Sequence, residues 1–333
     1  MQLWQKSSIA AVLTALAAAH APSVASAESV IKIDGSSTVF PIAEAVAEEF
    51  QISKRGKVRV TVGIAGTGGG FKRFCRGETD ISNASRPILK EEMEACRAAG
   101  VKFMEIPVAY DALTVVVNPQ NTWVKSLTPA DLKKMWEPGA QGRVSKWNQV
   151  HADWPAQSLM LFGPGADSGT FDYFTEAVNG KAKASRGDYT ASEDDNVLVQ
   201  GVENNKNALG YFGYAYYTAH KDRLKAVPID GGKGPVGPSI EAVINGSYQP
   251  LSRPLFIYVR DTAAQRAEVR DFIQFFLTDG ADLVKEVGYV PLPAESYRVA
   301  IEHFNNKKLG SVFGGVPEVG VTIEKLLARE AKL

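Results

Sequence analysis

The sequence predicts a mixed α/β fold of two lobes, the second inserted into the first, with a ligand cleft between them. Three features carry that expectation. Strand-like and helix-like runs alternate along the chain, the pattern of mainly parallel sheets flanked by helices. At several points a β-like run ends in glycine and hydroxyl residues and turns directly into a helix. Between Thr122 and Tyr248 the texture changes, with Trp123, Trp136, Trp147 and Trp154 spread among short helices and polar loops.

The chain opens with a secretory leader over residues 1–27. Lys6 gives a basic start, residues 9–19 an apolar core, and Ala25-Ser26-Ala27 a small-x-small cleavage pattern. No cysteine stands at the cut, so the expected product is a periplasmic chain, cleaved after Ala27, without a lipid anchor. Strands follow at 31–33, 58–64 and 80–82, and helices at 39–50, 71–76 and 90–99. In the first helix Val39, Ile42, Ala43, Val46 and Phe50 recur at helical spacing. Pro41 falls in its first turn, where a missing N–H does little harm. Residues 112–117 are a continuous apolar run, read as a buried strand, which Asn118-Pro119 breaks.

Helix 129–135, a glycine and hydroxyl turn at 163–170 and helix 171–178 come next. A flexible stretch at 231–238, helix 239–245, strand 255–259 and helix 264–277 complete the pattern. The first lobe is expected over 28–117 plus 250–333 and the second over 118–249. The chain crosses out near 116–122 and back near 248–254, and two extended crossings make a hinge.

Lysine plus arginine and aspartate plus glutamate both number 37, so the formal net charge is zero. That balance argues against nucleic acid and against anionic membrane surfaces, which attract a basic excess. Nothing after the leader is apolar enough for membrane insertion. In an exported chain Cys75 and Cys96 read as a disulfide, with buried free thiols as the alternative. A loop of that length is worth about 3 kcal/mol in the chain-entropy model.

Catalytic signatures are weak. His151, His220 and His303 show no metal-ligand spacing. Ser168, in Gly165-Ala166-Asp167-Ser168-Gly169, lacks the first glycine of a nucleophile elbow. The glycine run before Lys72 fits neither a dinucleotide nor a P-loop fingerprint. A secreted hydrolase using Ser168 is therefore the lesser alternative. The stronger pattern is hydroxyls at helix starts: Ser37 and Thr38, Thr67, then Ser168 and Thr170. Helix starts carry unpaired N–H groups and a positive dipole end, a ready oxyanion site. Each alone reads as an N-cap; together, in both lobes, they point to a shared anion. Arg86, made extended by Pro87, adds a cation able to fork onto two oxygens, unless Glu91 or Glu92 takes it.

Four blocks, Asp34-Gly-Ser-Ser-Thr-Val-Phe-Pro41, Gly66-Thr-Gly-Gly-Gly-Phe-Lys72, Asp80-Ile-Ser-Asn-Ala-Ser-Arg-Pro-Ile88 and Asp167-Ser-Gly-Thr-Phe171, resemble the periplasmic phosphate-binding proteins. Those are the substrate-binding subunits of phosphate ABC importers. The resemblance implies a type II-like two-lobe binding protein, monomeric and without cofactor or metal. It would bind inorganic phosphate and meet the importer's permease subunits. It carries over Ser37, Thr38 and the Val39 N–H, Thr67 with Gly68, Ser85 with Arg86, and Ser168, Gly169 and Thr170. The chain departs from the family pattern at two places. Arg86 stands where an aspartate is usual, and Pro164 where an arginine is usual. Hydrogen phosphate carries a proton that a buried carboxylate can accept, whereas sulfate does not. Asp111 and Asp167 are the candidate acceptors, with Asn196 a further cleft candidate. Sulfate, molybdate and arsenate remain the alternative ligands.

Overall fold

The computed structural model describes residues 29–316 and 318–332; the leader and its cleavage site lie outside them. The first half of the molecule runs β1 (Ser29–Gly35), α1 (Phe40–Ser53), β2 (Val58–Val62), α2 (Gly66–Cys75), β3 (Ile81–Ala84), α3 (Lys90–Ala98) and β4 (Phe103–Val117). There follow α4 (Pro129–Trp136), β5 (Met160–Pro164), α5 (Gly169–Asn179), β6 (Thr190–Ser192), α6 (Asp195–Glu203), β7 (Ala208–Gly213) and α7 (Tyr214–Ala219). The short strands β8 (Lys225–Ala226), β9 (Ile229–Asp230) and β10 (Pro235–Val236) lead to α8 (Ile240–Ile244) and β11 (Ser252–Arg260). The chain ends with α9 (Ala267–Leu277), α10 (Gly280–Glu286), β12 (Val290–Pro291), α11 (Ala294–Asn305) and α12 (Ile323–Glu330).

The strands lie in the order β2-β1-β3-β11-β4-β7-β5-β6, with β12 and β8 added alongside β4. Pairing is parallel at β2-β1-β3 and at β7-β5-β6, the two outer flanks. It is antiparallel where β11 and β4 join them. β4 is the shared rod. Residues 103–112 pair with β11, and residues 113–117 pair with β7. Every one of its residues is buried, which suits a strand covered on both faces. Where it changes partner, Leu113 N donates to the Leu251 carbonyl at 2.7 Å, so the outgoing and returning chains lie side by side.

The apolar set chosen in the first helix is buried as the spacing requires: Val39, Ile42, Ala43, Val46 and Phe50 face the core. Three local expectations change. β4 begins at Phe103, well before residue 112, because Glu105 and Asp111 interrupt its apolar pattern yet are buried on partners from β11. The stretch 231–238 holds β10, paired antiparallel with β9, and Asp230 Oδ1 accepts from Gly232 N and Gly234 N. The glycine run is the first turns of α2 itself rather than a loop before residue 71. Cys75 and Cys96 form a disulfide that ties the end of α2 to α3.

Candidate anion-binding site

Two turns approach each other and meet at one buried guanidinium. After β1, residues 36–39 turn into α1, and Ser36 Oγ accepts from Val39 N at 3.4 Å. After β5, Ser168 caps α5 by accepting from Thr170 N at 3.1 Å. Between the turns lies Arg253, with no solvent exposure. Antiparallel register sets it directly opposite Asp111 on β4. Its Nη2 donates to Asp111 Oδ2 at 3.0 Å, to Thr170 Oγ1 at 2.8 Å and to Thr38 Oγ1 at 3.3 Å. Its Nη1 donates to the Gly169 carbonyl at 3.2 Å. The Thr38 and Thr170 hydroxyls share a hydrogen bond at 3.0 Å. Tyr216 and Tyr289 brace the first turn by donating to the carbonyls of Ser37 and Thr38.

A second hydroxyl pair adjoins this centre. Thr67 Oγ1 accepts from Ser85 N at 3.2 Å and shares a bond with Ser85 Oγ. A Cβ on Gly169 would lie 2.4 Å from Thr67 Oγ1 and 2.6 Å from Ser85 Oγ, so only glycine lets α5 come this close. Gly66, at φ +73°, likewise lies against the Asp167 carbonyl, and Gly68 N donates to that carbonyl at 2.8 Å. At the exposed mouth Lys72 Nζ pairs with Asp167 Oδ1 at 2.7 Å.

Ser37, Thr38, Val39, Thr67, Gly68, Ser85, Asp111, Ser168, Gly169 and Thr170 are thus buried at the junction of the two turns. Three expected residues sit otherwise. Asp167 stays at the rim, its side chain 41% exposed on Lys72. Asn196 is exposed and bonds Asp194. Arg86 is buried but consumed: its Nε pairs with Asp172 at 2.7 Å, its terminal nitrogens with Glu92 at 2.7 and 2.8 Å, and Nη1 also with the Pro87 carbonyl. Of the two glutamates weighed as its partner, Glu92 has it.

Arg253 and Asp195 were not foreseen. Arg253-Pro254 repeats the Arg86-Pro87 dipeptide at the start of a strong strand, a signal that was there to read. Asp195 lies in the acidic run before Asn196, where side-chain direction is not legible. Its carboxylate is fully buried at the first turn of α6, and neither oxygen has a hydrogen-bond partner among the described residues. Burial pushes it up to about 8, against the pull of Arg253, while Asp111, Asp194 and Glu193 push the same way as burial. Burial also raises Asp111, opposed by Arg253.

The chain resembles known proteins over most of its length. The model of a PBP superfamily domain matches residues 17–280. Protein SphX of Synechococcus elongatus is 54% identical over 302 residues, which is 90% of this chain and 88% of that one. The phosphate-binding protein PstS of Staphylococcus haemolyticus is 40% identical over 271 residues, 80% of this chain and 82% of that one. A solved structure from Clostridium perfringens, described as a phosphate ABC transporter substrate-binding protein with bound phosphate, matches at a TM-score of 0.67 and 28% identity. That match covers 79% of this chain and 100% of the other.

Proposed function

The chain belongs to the PBP superfamily, and from that premise we propose that it binds inorganic phosphate between its two lobes and delivers it to an ABC importer. It works as an exported, periplasmic monomer that closes about the paired crossings at Leu113 and Leu251, and it catalyses nothing. One observation carries the reading: Arg253, dry and fixed by Asp111, holds the hydroxyls of Thr38 and Thr170 from the two opposed turns. Both hydroxyl oxygens accept from the cation and share one hydrogen bond with each other, which leaves one proton of the pair free to turn towards an anion. Helix starts beside them supply N–H groups and dipole ends. A hydrolase reading has little support, because Ser168 Oγ is the cap of α5. The three described histidines are held elsewhere, at Asp131, the Tyr216 carbonyl and Glu330.

The acceptor for the phosphate proton is Asp195 in this reading. Asp111 is committed to Arg253 and Tyr214 N, and Asp167 to Lys72. Ionised, Asp195 accepts from hydrogen phosphate and repels sulfate. Protonated, it donates to either anion. Discrimination therefore grows as pH rises through about 8, where the buried carboxyl ionises. Calorimetric titration with phosphate and sulfate at pH 6, 7.5 and 9 tests this. Sulfate binding should weaken about tenfold per pH unit above that point, while phosphate binding persists. Asp195→Asn should flatten the sulfate profile. Preference for sulfate at pH 9 would sink the phosphate assignment, and a flat profile in the unaltered protein would remove Asp195 from it.

A further inference from the structure

A second site lies on α3, in the segment of chain between β3 and β4. Lys90, Met93, Glu94 and Arg97 recur at three- and four-residue spacing along one stripe of that helix, and only Cys96 of α3 is buried. The stripe faces residues 100–103, where the chain enters β4, and Leu309, Gly310 and Gly314 of the late loop. Between them is a groove of about 590 Å³, within the usual range of small-molecule sites. Met93, Val101, Phe103 and Leu309 give it an apolar floor, and Leu309 is 43% exposed.

Its rim is basic. Lys90, Arg97 and Lys102 stand against a single acid, Glu94, in a chain whose charges otherwise balance. None of the three cations has an ion-pair partner among the described residues. The backbone beside the groove is already used, since Gly310 N donates to the Phe103 carbonyl at 2.9 Å and Gly310 bridges Met104. A peptide adding as a strand would find that edge taken. An aliphatic chain needs no backbone partner.

We propose that this groove binds a single-chain anionic amphiphile such as a fatty carboxylate, its alkyl chain on Met93, Val101, Phe103 and Leu309 and its head on Arg97 and Lys102. The site lies apart from the Arg253 centre and does not depend on the phosphate reading. Titration with monomeric octanoate, decanoate and dodecanoate should show saturable binding that tightens about fourfold per added methylene until the groove is filled. Dodecanoate should bind at least about tenfold more tightly than dodecyl maltoside, whose head is neutral. Arg97→Gln with Lys102→Gln should weaken dodecanoate about tenfold, and Leu309→Asp should abolish binding. Both variants should keep the Tm of the unaltered protein, which reports that they fold. Equal binding of dodecyl maltoside, no response to Arg97→Gln with Lys102→Gln, or binding to anionic phosphatidylglycerol vesicles without binding to monomeric dodecanoate would each overturn the proposal.

Discussion

Two of the buried arginines, Arg86 and Arg253, are joined to α5, and their surroundings differ. Arg86 reaches Asp172, Glu92 and a carbonyl, so two carboxylates surround one cation. Arg253 reaches one carboxylate, two hydroxyls and a carbonyl, with the unpartnered Asp195 within electrostatic range. The first centre is over-supplied with negative charge and has nothing left for an anion. The second is balanced by Asp111 and keeps one hydroxyl proton of the Thr38–Thr170 pair unspent. Burial and sequence context are alike; in the function proposed above, the count of carboxylates makes Arg86 a clamp and leaves Arg253 for recognition. A buried pair gives weak net stability when intact, and breaking one is expensive because the partner is stranded.

Substitution of both arginines separates the two roles. Arg86→Ala strands Asp172 and Glu92 and should lower unfolding stability by about 3–5 kcal/mol in urea titrations, with little loss of phosphate affinity. Arg253→Ala should cost at least about a hundredfold in phosphate affinity by calorimetry, near 2.7 kcal/mol. If Arg86→Ala loses the ligand and Arg253→Ala keeps it, the assignment of roles is reversed.

Acidity sharpens the contrast at the next level. Burial pushes Asp195 up to about 8, and it raises two carboxyls on other elements, Glu105 to about 7 and Glu330 to about 8. The folded state keeps these protons where the unfolded chain has already released them. The contribution of these three groups to stability is therefore full below the ordinary carboxyl range and is lost as pH climbs from about 4 to about 8. Thermal melts without phosphate should show a lower Tm at pH 8.5 than at pH 5.5, and Asp195→Asn should remove part of that slope. A Tm that rises over this interval would contradict the protonated assignment. The smallest effect belongs to the rim. Lys72 and Asp167 form an exposed pair across the mouth, worth about 0–1 kcal/mol. Lys72→Ala should speed phosphate release by no more than about fivefold in stopped-flow, and less at high salt.

Much of this was legible in the residues. The alternation of elements gave the mixed α/β class, and hydroxyls at helix starts led to Ser37, Thr38, Thr67, Ser168 and Thr170, all buried, while Ser85 came from the family resemblance. Local patterns carry that information because a cap and its helix are neighbours in sequence. Arg253 and Asp111 are different: they meet only because β11 lies antiparallel to β4 in one register. Asp195 is buried and Asn196 exposed because of which face of α6 points inwards, and a run of three acids hides that face. Arg86 misled because its competitors lie on α3 and α5, of which only the first is close in sequence.

The placement of β11 between β3 and β4 also governs the order in which this protein can be made. Synthesis delivers β3 and β4 early, yet the strand that joins them arrives only after the whole segment through β10 has been added. The sheet that begins first is completed last. Until Ser252 emerges, the facing edges of β3 and β4 are open backbone ladders, the kind of surface on which chains aggregate or recruit chaperones. The later group β4-β7-β5-β6 has all its strands by Gly213 and needs nothing beyond it for its own pairing. A nascent chain halted before residue 252 should therefore protect backbone amides in β5 and β7 while leaving those of β3 open to exchange.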